Sequence, residues 1–193
     1  MVCLKSVWKC TSLTVLAVPP VLLLALIAAG QGAGNSVFTS QVFRETFESI
    51  DTGWTLEGGD VNRKVHSHAR SSENAHSGQR CEKIVLTAGN GTHIYYSYPI
   101  SRALVTDDLK ISVWVKSDRP GVQLLARVVF PRERDPDNLQ LLGTLIPGTI
   151  YDQTGKWQRL ELGRPDLGTE RQARLLRASL NRDVDTRESY IDR

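Results

Sequence analysis

Two runs of alternating apolar and polar residues, at 110–116 and 122–130, restrict the fold of this chain more than any other part of its sequence. Alternation with a period of two is typical of β-strands that bury one face, because successive side chains point to opposite sides. Five residues separate the runs. We therefore predict an antiparallel hairpin whose outer side carries Trp114 and Arg127 together. The inward sides consist of Ile111, Val113 and Val115 in the first run, and of Val122, Leu124, Ala126, Val128 and Phe130 in the second.

The remainder of the chain from residue 42 onward also consists of short apolar runs separated by turn-forming residues. Gly89–Gly91 and Asp118–Gly121 contain the glycine, asparagine and proline residues that accept positive φ or preset a turn. This pattern predicts an all-β fold, an antiparallel β-sandwich. The predicted strands are 42–48, 54–57, 61–67, 81–87, 93–98, 109–116, 122–130, 141–146, 157–162 and 189–193.

One amphipathic helix is predicted to be inserted among the strands, at 170–181. Thr169 and Gln172 have the spacing of a capping box, in which each side chain satisfies a free backbone amide of the other residue. Ala173, Leu176 and Leu180 follow at near-helical spacing. We expect this helix to cover an end or edge of the sandwich, with its arginines forming a solvated face.

The first 30 residues have the layout of an export leader, which we expect to be an apolar helix. Lys5 and Lys9 precede a charge-free run of 17 residues, Leu13–Ala29, which ends in small residues. Two alternatives stay open: a signal peptide cleaved before Gln31, or an uncleaved anchor in the inner membrane. Either predicts an exported protein, extracellular or periplasmic, and a membrane contact only through an uncleaved N-terminus. Residues 31–41 then form a linker, and 42–193 form the domain.

Charge and cysteine content limit the partners of this domain. The net charge of +3 includes both lysines of the leader, so the domain itself carries +1. This small charge gives no electrostatic basis for binding nucleic acid. Of the three cysteines, Cys3 and Cys10 lie in the leader, which leaves Cys81 alone. We expect Cys81 to be a small buried residue without an internal bridge.

Four segments in succession resemble the jelly-roll, galactose-binding-like carbohydrate-binding modules. Residues 47–59 resemble their entry strand, and 75–86 resemble their His-Ser-Gly turn with the strand after it. Residues 109–121 are similar to a central strand that ends in Trp-Val-Lys, and 154–162 to the Gly-x-Trp strand near the end of such modules. The chain also resembles the N-terminal module of large exported bacterial proteins.

This resemblance implies a jelly roll that binds polysaccharides or oligosaccharides as an accessory module, with no cofactor other than a structural calcium ion. Glu48 and Asp51 stand at the positions that match such a calcium site. Modules of this type close with a strand of the pattern apolar-x-Asp-Asp-apolar, which is not found here before Arg193. We therefore expect residues 42–193 to be an incomplete domain.

Four residues are the candidate ligand contacts. Sugars are bound by aromatic faces and by flanking hydrogen-bonding side chains. If Tyr96 and Tyr98 point inward, then His93 and Tyr95 point outward, where they join Trp114 and Arg127. The alternative is that these aromatic residues only fill the core or a sheet edge, as aromatic residues in strands often do.

The sequence contains no motif of a catalytic site. Its histidines do not have the spacing of a zinc site, and it has no nucleophile elbow, P-loop or dinucleotide fingerprint. We therefore expect a domain without enzymatic activity. Two other functions stay open: a structural or protein-interaction sandwich, and the N-terminal fragment of a larger glycoside hydrolase.

Overall fold

A computed structural model describes the backbone of residues 2–6 and the full structure of residues 43–193. These residues form antiparallel strands and one helix, so the prediction of a mostly β fold with an inserted helix is confirmed. The elements are β1 (Val2–Ser6), β2 (Thr55–Gly59), β3 (Arg63–Ser71), β4 (Cys81–Ala88), β5 (Ile94–Ser97), β6 (Ala103–Leu104), β7 (Lys110–Ser117), β8 (Gln123–Arg134), β9 (Leu141–Ile150), β10 (Gln158–Gly163), α1 (Pro165–Leu180) and β11 (Tyr190–Ile191).

The strands of this part of the chain form two larger sheets and one pair. The five-stranded sheet has the order β10-β7-β1-β4-β3, and the four-stranded sheet has the order β6-β11-β8-β9. Strands β2 and β5 form the separate pair. Non-consecutive strands lie next to each other in both larger sheets, so long connections must pass from one sheet to the other.

The two larger sheets share one hydrophobic core. The core cluster combines residues of β4, β7 and β10 with residues of β8, β9 and β11. Val113, Leu124 and Val128 are buried in it, and Lys110 is exposed, as the alternating pattern predicts. Burial of these apolar faces is the main force that holds the sheets together.

The predicted hairpin between the runs 110–116 and 122–130 is wrong. Strand β7 pairs with β1 and β10, whereas β8 pairs with β9 and β11. The connection between β7 and β8 therefore crosses from one sheet to the other. Each strand still buries its apolar face, because the two faces meet across the core instead of side by side. Trp114 and Arg127 consequently lie on different sheets.

The predicted strand at 42–48 is also wrong over its described part. Residues 43–48 form no strand. Phe47 is fully buried and has a positive φ of 60°, which an extended strand does not allow. Here the chain is a loop that buries an aromatic anchor, and apolar residues alone do not distinguish such a loop from a short strand.

The helix begins five residues before its predicted start. Pro165 occupies the first turn, where a missing N–H costs nothing, and Arg164 precedes it with a left-handed φ of 53°. No side chain caps this helix. Thr169, the predicted cap, lies inside the helix, where its buried hydroxyl has no hydrogen-bond partner. The capping-box prediction is therefore wrong, although the helix itself is confirmed.

The start of the predicted leader forms a strand. Val2–Ser6 make up β1, which lies between β4 and β7, so a leader helix is wrong for these five residues. The apolar run itself and the linker lie outside the described residues. Within residues 2–6 and 43–193, no helix is long and apolar enough to cross a bilayer.

Cys81 differs from its predicted state in one respect. It is buried, as expected. It is also disulfide-bonded, so the prediction of an unbridged thiol is wrong.

Candidate functional site

Trp114 is packed against other rings of the five-stranded sheet. Its ring stacks on His76, with the two centroids 3.9 Å apart and the planes at 20°. His76 also contacts the edge of Trp157, at a centroid distance of 5.4 Å. One face of Trp114 is thus occupied by a side chain of the loop between β3 and β4. This packing favours the structural alternative for Trp114.

His93 and Tyr95 lie together near the β2–β5 pair. Their ring centroids are 4.6 Å apart, and Tyr95 is 39% exposed. Asp60 fixes the start of this strand, because its carboxylate accepts hydrogen bonds from the Thr92 hydroxyl and from the amides of Thr92 and His93. The Thr92 hydroxyl and these amides hold the pKa of Asp60 well below its usual range. Tyr95 therefore lies on a strand, β5, whose start is anchored by Asp60.

Arg127 lies on the outer face of the four-stranded sheet, where it forms an ion pair with Asp192. The distance from Arg127 Nε to Asp192 Oδ1 is 2.8 Å, and a second nitrogen contacts the other carboxylate oxygen. Backbone hydrogen bonds between Arg127 and both Asp192 and Arg193 hold the two segments in register. The hydrogen bond to Asp192 raises the pKa of Arg127, so the guanidinium remains charged.

A chain of polar contacts connects this ion pair to the strand that carries Tyr95. The Ser97 hydroxyl donates to Glu57 Oε1 at 2.5 Å, and Arg193 Nη1 donates to the same oxygen at 2.9 Å. Arg193 Nε lies 3.8 Å from Asp192 Oδ1. Strand β5, which carries Tyr95, thus lies at one end of these contacts and Arg127 at the other, whereas Trp114 lies on the five-stranded sheet.

Arg127 and Asp192 line a cleft of about 460 Å³ on the outer face of the four-stranded sheet. This volume is within the range of small-molecule sites. Val129 and Gly143 face each other in the register of β8 and β9, and Tyr190 is paired with Val129 on the other side. All three line the cleft. Because Gly143 has no side chain, the cleft has space beside Arg127 and Val129.

The connection between β8 and β9 forms the rim of the cleft. Leu139 is 73% exposed and has a left-handed φ of 60°. The loop is closed by backbone hydrogen bonds from Asp135 to Gln140 and from Leu139 to Asp135. Asn138 takes part in two more, donating to Asp135 and accepting from the Gln140 amide. The rim is therefore organised before any ligand binds, which lowers the entropic cost of binding.

Of the cleft residues, only Arg127 was predicted. Asp192 lies 65 residues from Arg127 along the chain. The rim contains Asp135, Pro136 and Asn138, which signal a turn but not its position beside a strand of distant sequence. The alternation of Tyr190–Arg193 was recognised only as a final strand, so the outward direction of its acidic residue was missed.

Glu48 and Asp51, the predicted calcium positions, are hydrogen-bonded to other parts of the protein. Arg70 Nε donates to the Asp51 carbonyl at 2.7 Å, and Arg80 Nη1 lies 3.5 Å from the Glu48 carbonyl. The Glu48 carboxylate accepts a hydrogen bond from the Gln79 amide. The calcium site stays a prediction. No group of three or more candidate metal ligands occurs among the described residues.

A second polar cluster, around Glu82, is buried between the five-stranded sheet and residues 43–54, the loop before β2 that we call the entry loop. The Glu82 side chain is fully buried and lies 2.6 Å from His68 Nε2 and 3.0 Å from Arg70 Nη1. It also accepts hydrogen bonds from the amides of Gly53 and Trp54, each at 3.0 Å. Because its lone pairs are occupied by these donors, we assign this cluster a structural role.

A comparison with known proteins found no matching family model, no matching curated protein and no matching solved structure.

Proposed function

We propose that this chain is a non-catalytic carbohydrate-binding accessory domain of an exported protein, with a jelly-roll arrangement of its two larger sheets. The observation that carries this proposal is the cleft beside the Arg127–Asp192 pair. The shared core of two antiparallel sheets and the four resembling segments support the jelly-roll assignment.

The cleft combines the two kinds of surface that sugar recognition needs. Leu139, which is 73% exposed, supplies apolar surface for the hydrophobic side of a pyranose ring, whereas Val129 and Tyr190 line the floor of the cleft as buried residues. Arg127 and Asp192 supply charged donors and acceptors, which form the stronger hydrogen bonds to hydroxyl groups. Because the ion pair and the rim loop are already held by internal hydrogen bonds, these groups are oriented before a sugar arrives.

The charges in the cleft favour binding over hydrolysis. Glycoside hydrolysis by the common mechanisms needs two carboxyl groups on either side of the bond that is cleaved. Among the residues that line the cleft, Asp192 is the one carboxylate. Its carboxylate is ion-paired with Arg127. This supports the non-catalytic form of the proposal.

Filling the cleft is expected to abolish glycan binding without unfolding the domain. A Cβ atom at Gly143 would lie 3.9 Å from Arg127 Cγ and 3.3 Å from the Val128 carbonyl, so Gly143→Val puts a side chain beside the ion pair. We expect at least about tenfold weaker binding, equivalent to about 1.4 kcal/mol. The measurement is affinity electrophoresis of the full chain against a panel of soluble polysaccharides.

Gly163→Val is the matched control, because a Cβ atom at this strand glycine has nothing within 4 Å. Circular dichroism and thermal melting should establish that both variants are folded. A folded Gly143→Val protein that binds glycans as tightly as the unmodified chain would show that the cleft is not the binding site. An unmodified chain that binds no glycan of the panel would reject the carbohydrate proposal.

Export is the second part of the proposal, with residues 1–30 removed as a leader. Its support is the charge-free run of 17 residues, which is unfavourable in contact with water. Cleavage would also remove β1 and leave the facing edges of β4 and β7 without a neighbour. N-terminal sequencing of exported protein should begin near Gln31. Exported protein that retains Val2–Ser6 would contradict cleavage and keep β1 available to the sheet.

A structural or protein-interaction domain is the second candidate function. Leu104 is 55% exposed and Ile150 is 54% exposed, both on strands of the four-stranded sheet. Exposed apolar residues of this kind occur at protein–protein contacts. A domain with this function would not bind glycans, and Gly143→Val would not change its function.

A further inference from the structure

We infer that the cleft prefers acidic glycans, whose uronate carboxylates bind to Arg134 on its rim. This inference rests on the proposed function and names the substrate class of the same cleft. The observation behind it is a charge imbalance. Arg127 and Arg134 line the cleft, and Asp192 is the single acidic residue among the lining residues.

Arg127 is already neutralised, whereas Arg134 is not. Arg127 is paired with Asp192 through two hydrogen bonds. Arg134 Nη1 donates a long hydrogen bond of 3.4 Å to the Leu139 carbonyl, which carries no net charge. In residues 43–193, none of the ion pairs found involves Arg134. The guanidinium thus contacts the rim loop through one hydrogen bond and has no ion-pair partner among residues 43–193.

The acidic residues next to Arg134 in the chain are occupied by other groups. The two Asp135 oxygens accept hydrogen bonds from the Asp137 amide and from Asn138 Nδ2, at 2.9 and 3.1 Å. Glu133 is buried and contacts Arg182 and the Asp185 amide. Both carboxylates are thus hydrogen-bonded to groups other than Arg134, which leaves the Arg134 guanidinium available to a ligand carboxylate.

A second cation, Arg102, lies next to a residue that lines the cleft. The guanidinium carbon of Arg102 lies 4.8 Å from the centroid of the Tyr190 ring, and Tyr190 lines the cleft. Arginine binds carboxylates with two parallel hydrogen bonds, because its planar fork matches the carboxylate geometry. A polymer that carries one carboxylate on each sugar offers repeated partners for Arg134 and Arg102, whereas a neutral polymer offers only hydroxyl groups.

The test compares two polymers that differ only in charge: polygalacturonate and the same galacturonan with its carboxyl groups methyl-esterified. The full chain is expected to bind polygalacturonate more tightly. Arg134→Gln should weaken this binding by about tenfold, since hydrogen bonds to charged groups contribute more than neutral ones. Arg174→Gln is the matched control, because it removes the same charge from an exposed position on α1.

Binding that falls in Arg134→Gln but not in Arg174→Gln, and only for the acidic polymer, supports the inference. Equal binding to both polymers would overturn it and leave carbohydrate binding intact. Equal losses in the two variants would also overturn it, because they would indicate attraction by overall charge. If a folded protein binds neither these polymers nor the neutral panel, the proposed function fails as well.

Discussion

Glu82→Ala is expected to lower the free energy of unfolding by about 3–5 kcal/mol, the range found when one partner of a buried ion pair is removed. The Glu82 carboxylate is fully buried, accepts hydrogen bonds from two amides of the entry loop, and lies 2.6 Å from His68 Nε2 and 3.0 Å from its ion-pair partner, Arg70 Nη1. The Arg70 side chain is itself only 4% exposed. Removal of the Glu82 carboxylate therefore leaves the buried Arg70 cation without its closest carboxylate. It also detaches the loop at Gly53–Trp54 from β4.

Urea denaturation followed by tryptophan fluorescence would measure this loss. Glu161→Ala is the control, since Glu161 lies on β10, its side chain is 52% exposed and its ion pair with Arg159 lies in solvent. Exposed pairs contribute about 0–1 kcal/mol, so this variant should be close to the unmodified chain. If Glu82→Ala lost as little as Glu161→Ala, the carboxylate would not be the group that holds the entry loop.

Tyr151→Ala is expected to cost about 3–5 kcal/mol, the range for truncation of a buried aromatic side chain. Tyr151 is fully buried between the two larger sheets. Its hydroxyl lies within hydrogen-bond distance of the carbonyls of Ser117 and Lys156, at 3.0 and 2.8 Å. Its backbone is hydrogen-bonded to Val122 and Gly121. One residue thus holds the crossover that carries the chain from β7 to β8.

Two companion variants separate the contributions of this side chain. Tyr151→Phe keeps the ring and loses the hydroxyl, so it should cost about 1–3 kcal/mol. Tyr95→Ala removes a tyrosine that is 39% exposed, and its cost should be near 1 kcal/mol or less. Thermal and urea unfolding would measure all three. A Tyr151→Ala protein as stable as Tyr95→Ala would show that the crossover is held by other contacts.

Periodicity predicted which apolar residues face the core, but it predicted neither the burial of Ser112 and Val129 on the opposite faces nor the partners of the strands. Val113 and Leu124 are buried as expected. The alternation that predicts this is the same whether two strands are neighbours in one sheet or face each other across a core. The five-residue connection was compatible with a hairpin, and only the pairing of β7 with β10 and of β8 with β9 excludes it.

Local signals also failed where the surrounding structure competed with them. Thr169 has the spacing of a helix cap, yet Pro165 starts the helix a turn earlier because its fixed φ and missing N–H suit that position. Phe47 belongs to a run that resembles a strand. Its ring is buried, but its own backbone has a positive φ, which a strand does not allow. In both cases the type of residue was a correct signal, of a helix near Thr169 and of burial at Phe47. The sequence did not predict the backbone conformation at either position.

The sequence by itself determined the β character of this chain, its helix and the faces of its strands that are buried, because these depend on side-chain order over a few residues. Which residues share the outer surface was decided only by the tertiary structure. Arg127 meets Asp192 across 65 residues because β11 pairs with β8. Trp114 is stacked against His76 because a loop folds onto the other sheet. Contacts of this kind depend on how sheets are assembled from distant segments, which no local pattern records.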